Sequence, residues 1–240
     1  MRCFLISGGL GTRLRPFTDA LPKNLVPILG KPLLEWQVGW LGKNGIDEIV
    51  FCIGHKADAI QRFALENLAK KHKKIKFYFS IEEEMLGTGG ALRKAVGEFG
   101  CGNRGMFAVT YGDIFLRNNI PKIAEFHRKS GFLATAMVRL SDHPHDSDIV
   151  RVEGGAVVEI IRKGGYDGKM EPLAIASFYI FSPSAKPEIE RMGKKYSIEH
   201  DLFERLAKEG RLGAYASKEF VRDVGTWERL KMVESMLAKL

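Results

Sequence analysis

Two aspartates, one arginine, one lysine and a glycine-rich loop are the residues of this chain best suited to act on a polyphosphate. The loop reads Ile6-Ser7-Gly8-Gly9-Leu10-Gly11-Thr12-Arg13-Leu14-Arg15-Pro16 and follows a strand-like run at once. Glycines let backbone N–H groups approach phosphate oxygens, because no side chain stands between them. Arg13 lies inside the loop, and Lys23 follows in Leu21-Pro22-Lys23-Asn24-Leu25-Val26-Pro27. A planar guanidinium matches phosphate oxygens in pairs, while a lysine supplies a compact point charge. Asp113 ends the run Val109-Thr110-Tyr111-Gly112-Asp113, and Asp223 stands in Val221-Arg222-Asp223-Val224-Gly225-Thr226. Two carboxylates plus substrate phosphates are a usual way to hold Mg²⁺. Read singly, each aspartate is equally well a turn residue or a helix cap.

Spacing separates the familiar phosphate loops. A dinucleotide fingerprint needs a third glycine where Leu14 stands, which disfavours an oxidoreductase. A Walker loop ahead of Gly30-Lys31 needs a glycine where Leu25 stands. Neither pattern fits. A second glycine-rich turn, Leu86-Gly87-Thr88-Gly89-Gly90-Ala91-Leu92, comes shortly after three consecutive glutamates, Glu82-Glu83-Glu84.

Taken together, Gly8, Gly9, Gly11, Thr12, Arg13, Leu14, Pro16, Thr18, Pro22, Lys23, Leu25, Pro27, Gly30, Lys31 and Pro32 resemble a known signature. It is that of the sugar-1-phosphate nucleotidyltransferases, G-G-x-G-T-R-L-x-P-x-T followed by P-K-x-L-x-P and G-K-P. The resemblance extends along essentially the whole chain. It implies transfer of a nucleotidyl group from a nucleoside triphosphate to a sugar 1-phosphate, with release of pyrophosphate. Gly8, Gly9, Gly11 and Thr12 would then cradle the triphosphate. Arg13 would hold the departing pyrophosphate, and Lys23 would neutralise charge at the α-phosphate. Asp113 and Asp223 match the family's N-G-D strand end and its D-x-G-T motif, and would bind Mg²⁺. Tyr111 stands where the family has asparagine.

The same resemblance implies the two substrate pockets. Glu84, Gly87 and Thr88 fit the segment that lies along the nucleobase and ribose. Gly112, Lys163 and Tyr179 would line the sugar-phosphate side. Arg162 replaces a glutamate that usually touches sugar hydroxyls, and Ile175 and Ser177 replace an asparagine and a glycine. Within the family, Phe79-Ser80-Ile81-Glu82 and Tyr196-Ser197-Ile198-Glu199-His200-Asp201-Leu202-Phe203 resemble the manno-heptose 1-phosphate and mannose-1-phosphate guanylyltransferases. A glucose-1-phosphate thymidylyl- or uridylyltransferase is the alternative, as is a non-catalytic regulatory relative. The presence of Arg13, Lys23 and both aspartates argues against the latter.

The elements that must position these groups show as alternation. Strand-like runs at 2–7, 48–53, 75–80 and 106–110 are separated by helical patterns at 32–44, 57–71, 89–96 and 120–130. This predicts an α/β fold of Rossmann-like three-layer α/β/α type, with a mixed, mostly parallel central sheet. Strands at 132–140, 149–152, 157–162 and 173–181 then predict a small β-rich sugar-binding lobe, with a hairpin turn at Glu153-Gly154-Gly155-Ala156. Helices at 183–192 and 198–209, the latter capped by Ser197, precede a strand at 211–217 and a helix from Thr226. One domain over 1–240 is expected, with a nucleotide-binding half (1–130), a sugar-binding half (131–240) and no appended β-helix domain.

Bulk composition bounds the rest. The 240 residues are 45% hydrophobic and 28% charged, ordinary for a globular protein. No apolar run approaches membrane-spanning length and no signal-peptide layout opens the chain, so a cytoplasmic enzyme is expected. Cys3, Cys52 and Cys101 are odd in number and far apart, which indicates neither a disulfide framework nor a zinc site. The net charge of +8 is concentrated in Lys70-Lys71-His72-Lys73-Lys74, read as a solvated helix end favoured by the helix dipole. No aromatic residues interleave with that run, as a single-strand-binding face would want. Neither nucleic acid nor membrane is expected as a partner. The oligomeric state stays open, a homodimer being the common choice.

Overall fold

In the computed structural model, which describes residues 1–9 and 11–239, the run Cys3-Phe4-Leu5-Ile6 forms the central strand β1 (Arg2–Ile6). Its side chains alternate: Phe4 and Ile6 enter one core, Cys3 and Leu5 another. A strand buried on both faces requires that split. After it come β2 (Pro27–Ile28), β3 (Lys31–Pro32), β4 (Glu48–Ile53), β5 (Lys76–Ile81), β6 (Phe107–Tyr111) and β7 (Ile114–Leu116). The second half adds β8 (Ala134–Leu140), β9 (Ile149–Glu153), β10 (Ala156–Ile161), β11 (Leu173–Phe181), β12 (Leu212–Ala216) and β13 (Val221–Asp223).

Nine of these strands make one sheet, ordered β5-β4-β1-β6-β11-β8-β12-β10-β9. β5, β4, β1 and β6 run parallel, as the strand–helix alternation predicts. β11 then enters antiparallel, setting Phe178 against Thr110 of β6. Beyond it antiparallel pairs dominate, β12 on β8 being parallel. The β-rich second half therefore continues the sheet of the first.

Helices cover both faces. Leu33–Lys43, Ala57–Phe63 with its continuation to Lys71, and Ile120–Ser130 lie on the Cys3 and Leu5 side. Gly87–Phe99, Lys186–Arg191, Ile198–Phe203 and Glu204–Lys208 lie on the Phe4 and Ile6 side. Local chemistry sets their ends. Asn119 caps Ile120–Ser130 by accepting from the Lys122 N–H, and Gly131 closes that helix at φ 71°. Ser197 caps its helix as expected, but the first turns, Ile198–Phe203, are of the wide π type.

A third, smaller core joins Leu14, Val26, Ile28, Leu33, Phe115, Val224, Leu230 and Val233. It lies beneath the glycine-rich loop and ties it to the last helix, Trp227–Leu237. β7 and β13 pair antiparallel at its edge, with Asp223 opposite Ile114. No helix among the described residues is long and apolar enough to cross a membrane. All three cysteines are free thiols, and Cys3 and Cys52 are buried.

Candidate functional site

The glycine-rich loop starts where β1 stops, beside the end of β6. Gly112 N–H donates to the Ile6 carbonyl at 2.8 Å, so the two strand ends leave the sheet together. A Cβ on Gly112 would stand 2.0 Å from Asn24 Nδ2 and 2.2 Å from Ser7 Oγ. Those two atoms are hydrogen-bonded to each other at 2.7 Å, which leaves room there only for glycine. Gly11 takes φ 67°, with its carbonyl accepting from Thr18 Oγ1 at 3.0 Å. Around Gly9 there is open space, and Thr12 and Arg13 are exposed in the Thr12–Leu14 turn. Leu10 lies outside the described residues. At Gly9 the loop backbone is thus unobstructed.

The charged groups named above meet beside that loop. Lys23, 10% exposed, donates its Nζ to Asp113 Oδ2 at 2.6 Å. Val224 N–H donates to the Asp113 carbonyl at 2.7 Å, which sets Asp223 next to Asp113. A Cβ on Gly225 would lie 2.7 Å from Asp223 Oδ2 and 3.4 Å from Arg13 Nη2, so these two side chains converge on that glycine. Asp223 Oδ2 also pairs with Arg229 Nη1, a partner that sequence reasoning missed. Each aspartate keeps its Oδ1 without a hydrogen bond among the described residues. Among those residues no group of three or more His, Cys, Asp or Glu forms a self-contained metal centre. Two hard oxygen donors with the other positions left to phosphates and water fit Mg²⁺.

Within the glutamate run before the second glycine-rich turn, the structure separates Glu82 from Glu84. Glu84 is 63% exposed and pairs with Lys194, which lowers its carboxyl pKa. Glu82 instead turns toward the glycine-rich loop, its Oε1 3.1 Å from where a Gly8 Cβ would be. That Oε1 is buried and unpartnered, while Oε2 accepts from the Leu86 N–H at 3.3 Å. Burial pushes the Glu82 carboxyl above its ordinary range. The discriminating signal is position: Glu82 is the first residue beyond β5, at the carboxyl end of a parallel strand. Gly87 and Gly89 press against the Tyr196 segment, and a Cβ on Gly89 would meet the Tyr196 ring at 2.1 Å. Thr88 Oγ1 accepts from the Ile198 N–H at 2.9 Å and donates to Glu199 Oε2 at 3.3 Å.

Next to the aspartates opens a cleft of about 390 Å³, lined by Tyr111, Ile175, Ser177, Tyr179, Glu199 and Asp223 among others. Glu199, which sequence reasoning placed only in a family-like run, is its hub. Its Oε1 accepts from the phenols of Tyr111 and, at 2.6 Å, Tyr179; its Oε2 accepts from Ser197 at 3.0 Å. Burial first, then the Glu199 charge, pushes both phenols well above their usual range and keeps them as donors. Ser177 takes φ 54°, the left-handed region where a glycine costs nothing. Lys163 is 65% exposed and pairs with Asp146 at 2.8 Å; its backbone N–H donates to Asp148, a cleft residue. Arg162 turns away to Glu204 at 2.7 Å, so it does not stand in for the missing glutamate.

A larger cavity, about 840 Å³, lies elsewhere, between Trp36, Trp40 and the lysines of 70–74. Neither the glycine-rich loop nor either aspartate lines it. Asp223 lines the smaller cleft.

The family model described as "Nucleotidyl transferase" matches residues 3–239. The chain belongs to that family. Members generally depend on a divalent metal. Similar curated proteins include a mannose-1-phosphate guanyltransferase of Aspergillus oryzae, 30% identical over 236 residues, covering 94% of this chain and 61% of the relative. A mannose-1-phosphate guanylyltransferase of Arabidopsis thaliana is 32% identical over 228 residues, with the same coverage. The chain thus spans about 61% of the length of these relatives. Among solved structures, HddC from Yersinia pseudotuberculosis complexed with GMP-PN superposes with a TM-score of 0.79 at 25% identity, covering 98% of this chain and 99% of that one. A UDP-glucose pyrophosphorylase complexed with UDP-glucose shares the fold, with a TM-score of 0.82 at 20% identity, covering 99% of this chain and 98% of that one.

Proposed function

We propose that the chain transfers a guanylyl group from GTP to a mannose-type or manno-heptose-type sugar 1-phosphate, giving a GDP-sugar and pyrophosphate. The observation that carries this reading is the convergence of Arg13, Lys23, Asp113 and Asp223 on the end of the glycine-rich loop. The sugar-phosphate oxygen attacks the α-phosphorus in line. A new P–O bond forms as the bond to the β-phosphate oxygen breaks, and that electron pair leaves with pyrophosphate. A phosphate monoester has a second pKa of about 6 and is already anionic at neutral pH, so no side chain has to remove a proton.

Catalysis on this reading is positioning and charge compensation. The loop N–H groups and Arg13 hold the leaving pyrophosphate, and Lys23 offsets charge at the α-phosphate. A Mg²⁺ held by Asp113 and Asp223 would neutralise phosphate oxygens on both substrates. A guanine nucleotide is supported by the guanylyltransferase relatives and by the HddC complex with GMP-PN, and Glu82, whose buried Oε1 has no partner, accepts from guanine N1–H and N2–H on this reading. Glu199 with Tyr111 and Tyr179 orients the sugar, Gly112 offers its backbone on the sugar-phosphate side, and Lys163 swings from Asp146 to its phosphate. We place the reaction in the cytoplasm.

Purified protein incubated with Mg²⁺, each of the four common triphosphates, and mannose or manno-heptose 1-phosphate tests the reading. Pyrophosphate should appear fastest with GTP and vanish on chelation of the metal. No pyrophosphate from any combination would overturn it.

A further inference from the structure

One wall of the sugar cleft carries two arginines for which nucleotidyl transfer has no evident use. Arg139, near the end of β8, and Arg222, in β13, line the cleft with Ser177, Glu199 and Asp223. The Arg139 side chain is 25% exposed and donates no hydrogen bond among the described residues. The one carboxylate within reach is Asp142, at 3.8 Å. Arg222, 14% exposed, grips that same Asp142 at 2.6 and 3.4 Å, while its Nε is buried without a partner. Asp142 is also bonded to His143 Nδ1 at 2.5 Å, so one carboxylate serves three cationic or donor groups. Burial and the Arg222 charge both pull the Arg139 pKa down, ahead of the opposing effect of Asp142 and Asp223.

A buried guanidinium N–H without an acceptor, as at Arg222 Nε, is costly to keep, and the fork of a guanidinium matches the paired oxygens of a carboxylate or phosphate. A guanidinium is donor-only, whereas an uncharged sugar offers hydroxyls that also need acceptors. The cleft keeps Glu199 and Asp148 as acceptors for such hydroxyls, so the two arginines are donors beyond what an uncharged sugar needs. The further glutamate expected beside Lys163 is replaced by Arg162, which faces Glu204. Adjacent on β13, Arg222 and Asp223 take different partners, Asp142 and Arg229, so the guanidinium is turned away from the metal-binding carboxylate. The 1-phosphate is already provided for beside Asp113, Asp223 and Lys23.

We propose that Arg139 and Arg222 form a subsite for a second anionic group, a carboxylate or phosphate carried by the sugar away from C1. The acceptor is then an acidic sugar 1-phosphate. This rests on the nucleotidyl-transfer reading above and narrows its substrate class.

The test compares kcat/KM, with GTP and Mg²⁺, for mannose 1-phosphate, its C6-carboxylate counterpart and its C6-phosphate counterpart. At least one acidic sugar should be preferred by on the order of 10-fold or more, since a site built to bind a polar group rejects analogues lacking it. The carboxylate and phosphate arms show which anion the fork accepts. Arg139→Gln, which breaks no hydrogen bond of the free protein, should lower kcat/KM for the acidic sugar at least 10-fold more than for mannose 1-phosphate. Arg139→Lys should restore part of that difference. Equal or better use of mannose 1-phosphate by the unmodified protein overturns the subsite. So does an Arg139→Gln loss that is equal for all three sugars, which would assign the arginines to the shared 1-phosphate. Absence of pyrophosphate with every sugar and every triphosphate overturns the parent reading, and this one with it.

Discussion

The Val224 N–H donates to the Asp113 carbonyl across 2.7 Å, so the turn carrying one carboxylate is pinned to the strand end carrying the other. Residues 110 positions apart in the chain thereby become a pair. Because the link runs through backbone, changing either side chain leaves it in place. Asp113→Asn and Asp223→Asn should therefore keep the fold while lowering pyrophosphate release by at least about 10²-fold, the scale for loss of a charge-stabilising group. Circular dichroism and a pyrophosphate assay on the same samples check both halves. Near-normal turnover in either variant would remove that aspartate from the metal site.

Gly112 tests the geometry rather than the charge. Its missing Cβ leaves the space taken by Asn24 Nδ2 and Ser7 Oγ. Gly112→Ala should break that hydrogen bond and cost about 1–3 kcal/mol, the scale of overpacking. A lowered thermal midpoint together with lost activity is expected, and an unchanged midpoint would show that the contact relaxes freely.

The glutamates behave differently. Glu82→Gln should weaken the use of GTP relative to the other triphosphates, because one acceptor oxygen facing the loop is lost. Glu84→Gln, on the exposed Lys194 pair, should change kcat/KM by less than about twofold, as surface pairs contribute little. Competition assays with paired triphosphates give the ratio directly. Equal effects of the two substitutions would return the base-reading role to the whole glutamate run.

His127 gives a pH signature independent of activity. It is 3% exposed and sits 2.8 Å from Thr135 Oγ1 and 3.0 Å from Ser182 Oγ. Burial lowers its pKa from 6.5 to about 4. Between those values the unfolded chain binds a proton that the folded one refuses. Its contribution to stability is therefore complete above pH 6.5 and is lost as pH falls toward about 4, roughly 3 kcal/mol in all. Urea unfolding at about pH 7 and about pH 5 should show the decline, and His127→Asn should flatten it.

The sequence makes some of this visible and hides the rest for physical reasons. Strands buried on both faces, such as β1 and β4, show as uninterrupted apolar runs, and Asn119, Ser197 and Gly131 mark helix ends by their chemistry. The β7–β13 pair is invisible: two three-residue strands, far apart in the chain, carry no periodicity. Glu82 and Glu84 look alike in sequence, and only the end of β5 tells them apart. Ser177 hides a left-handed backbone beneath a residue that seldom adopts one. Glu199 gathers three of its four hydroxyl partners, Thr88, Tyr111 and Tyr179, from three separate segments, which no local motif encodes.

The join between β6 and β11 also sets a schedule for synthesis. The parallel part of the sheet ends at β6, whose outer edge is completed only by β11. That strand emerges from the ribosome about sixty residues later, a wait of roughly 3–12 s at ordinary elongation rates. Over that interval the nascent chain presents Phe107-Ala108-Val109-Thr110 as an open edge, the kind of template on which strands of other chains can add. The nascent first half should therefore engage chaperones until Leu173–Phe181 arrives to close it.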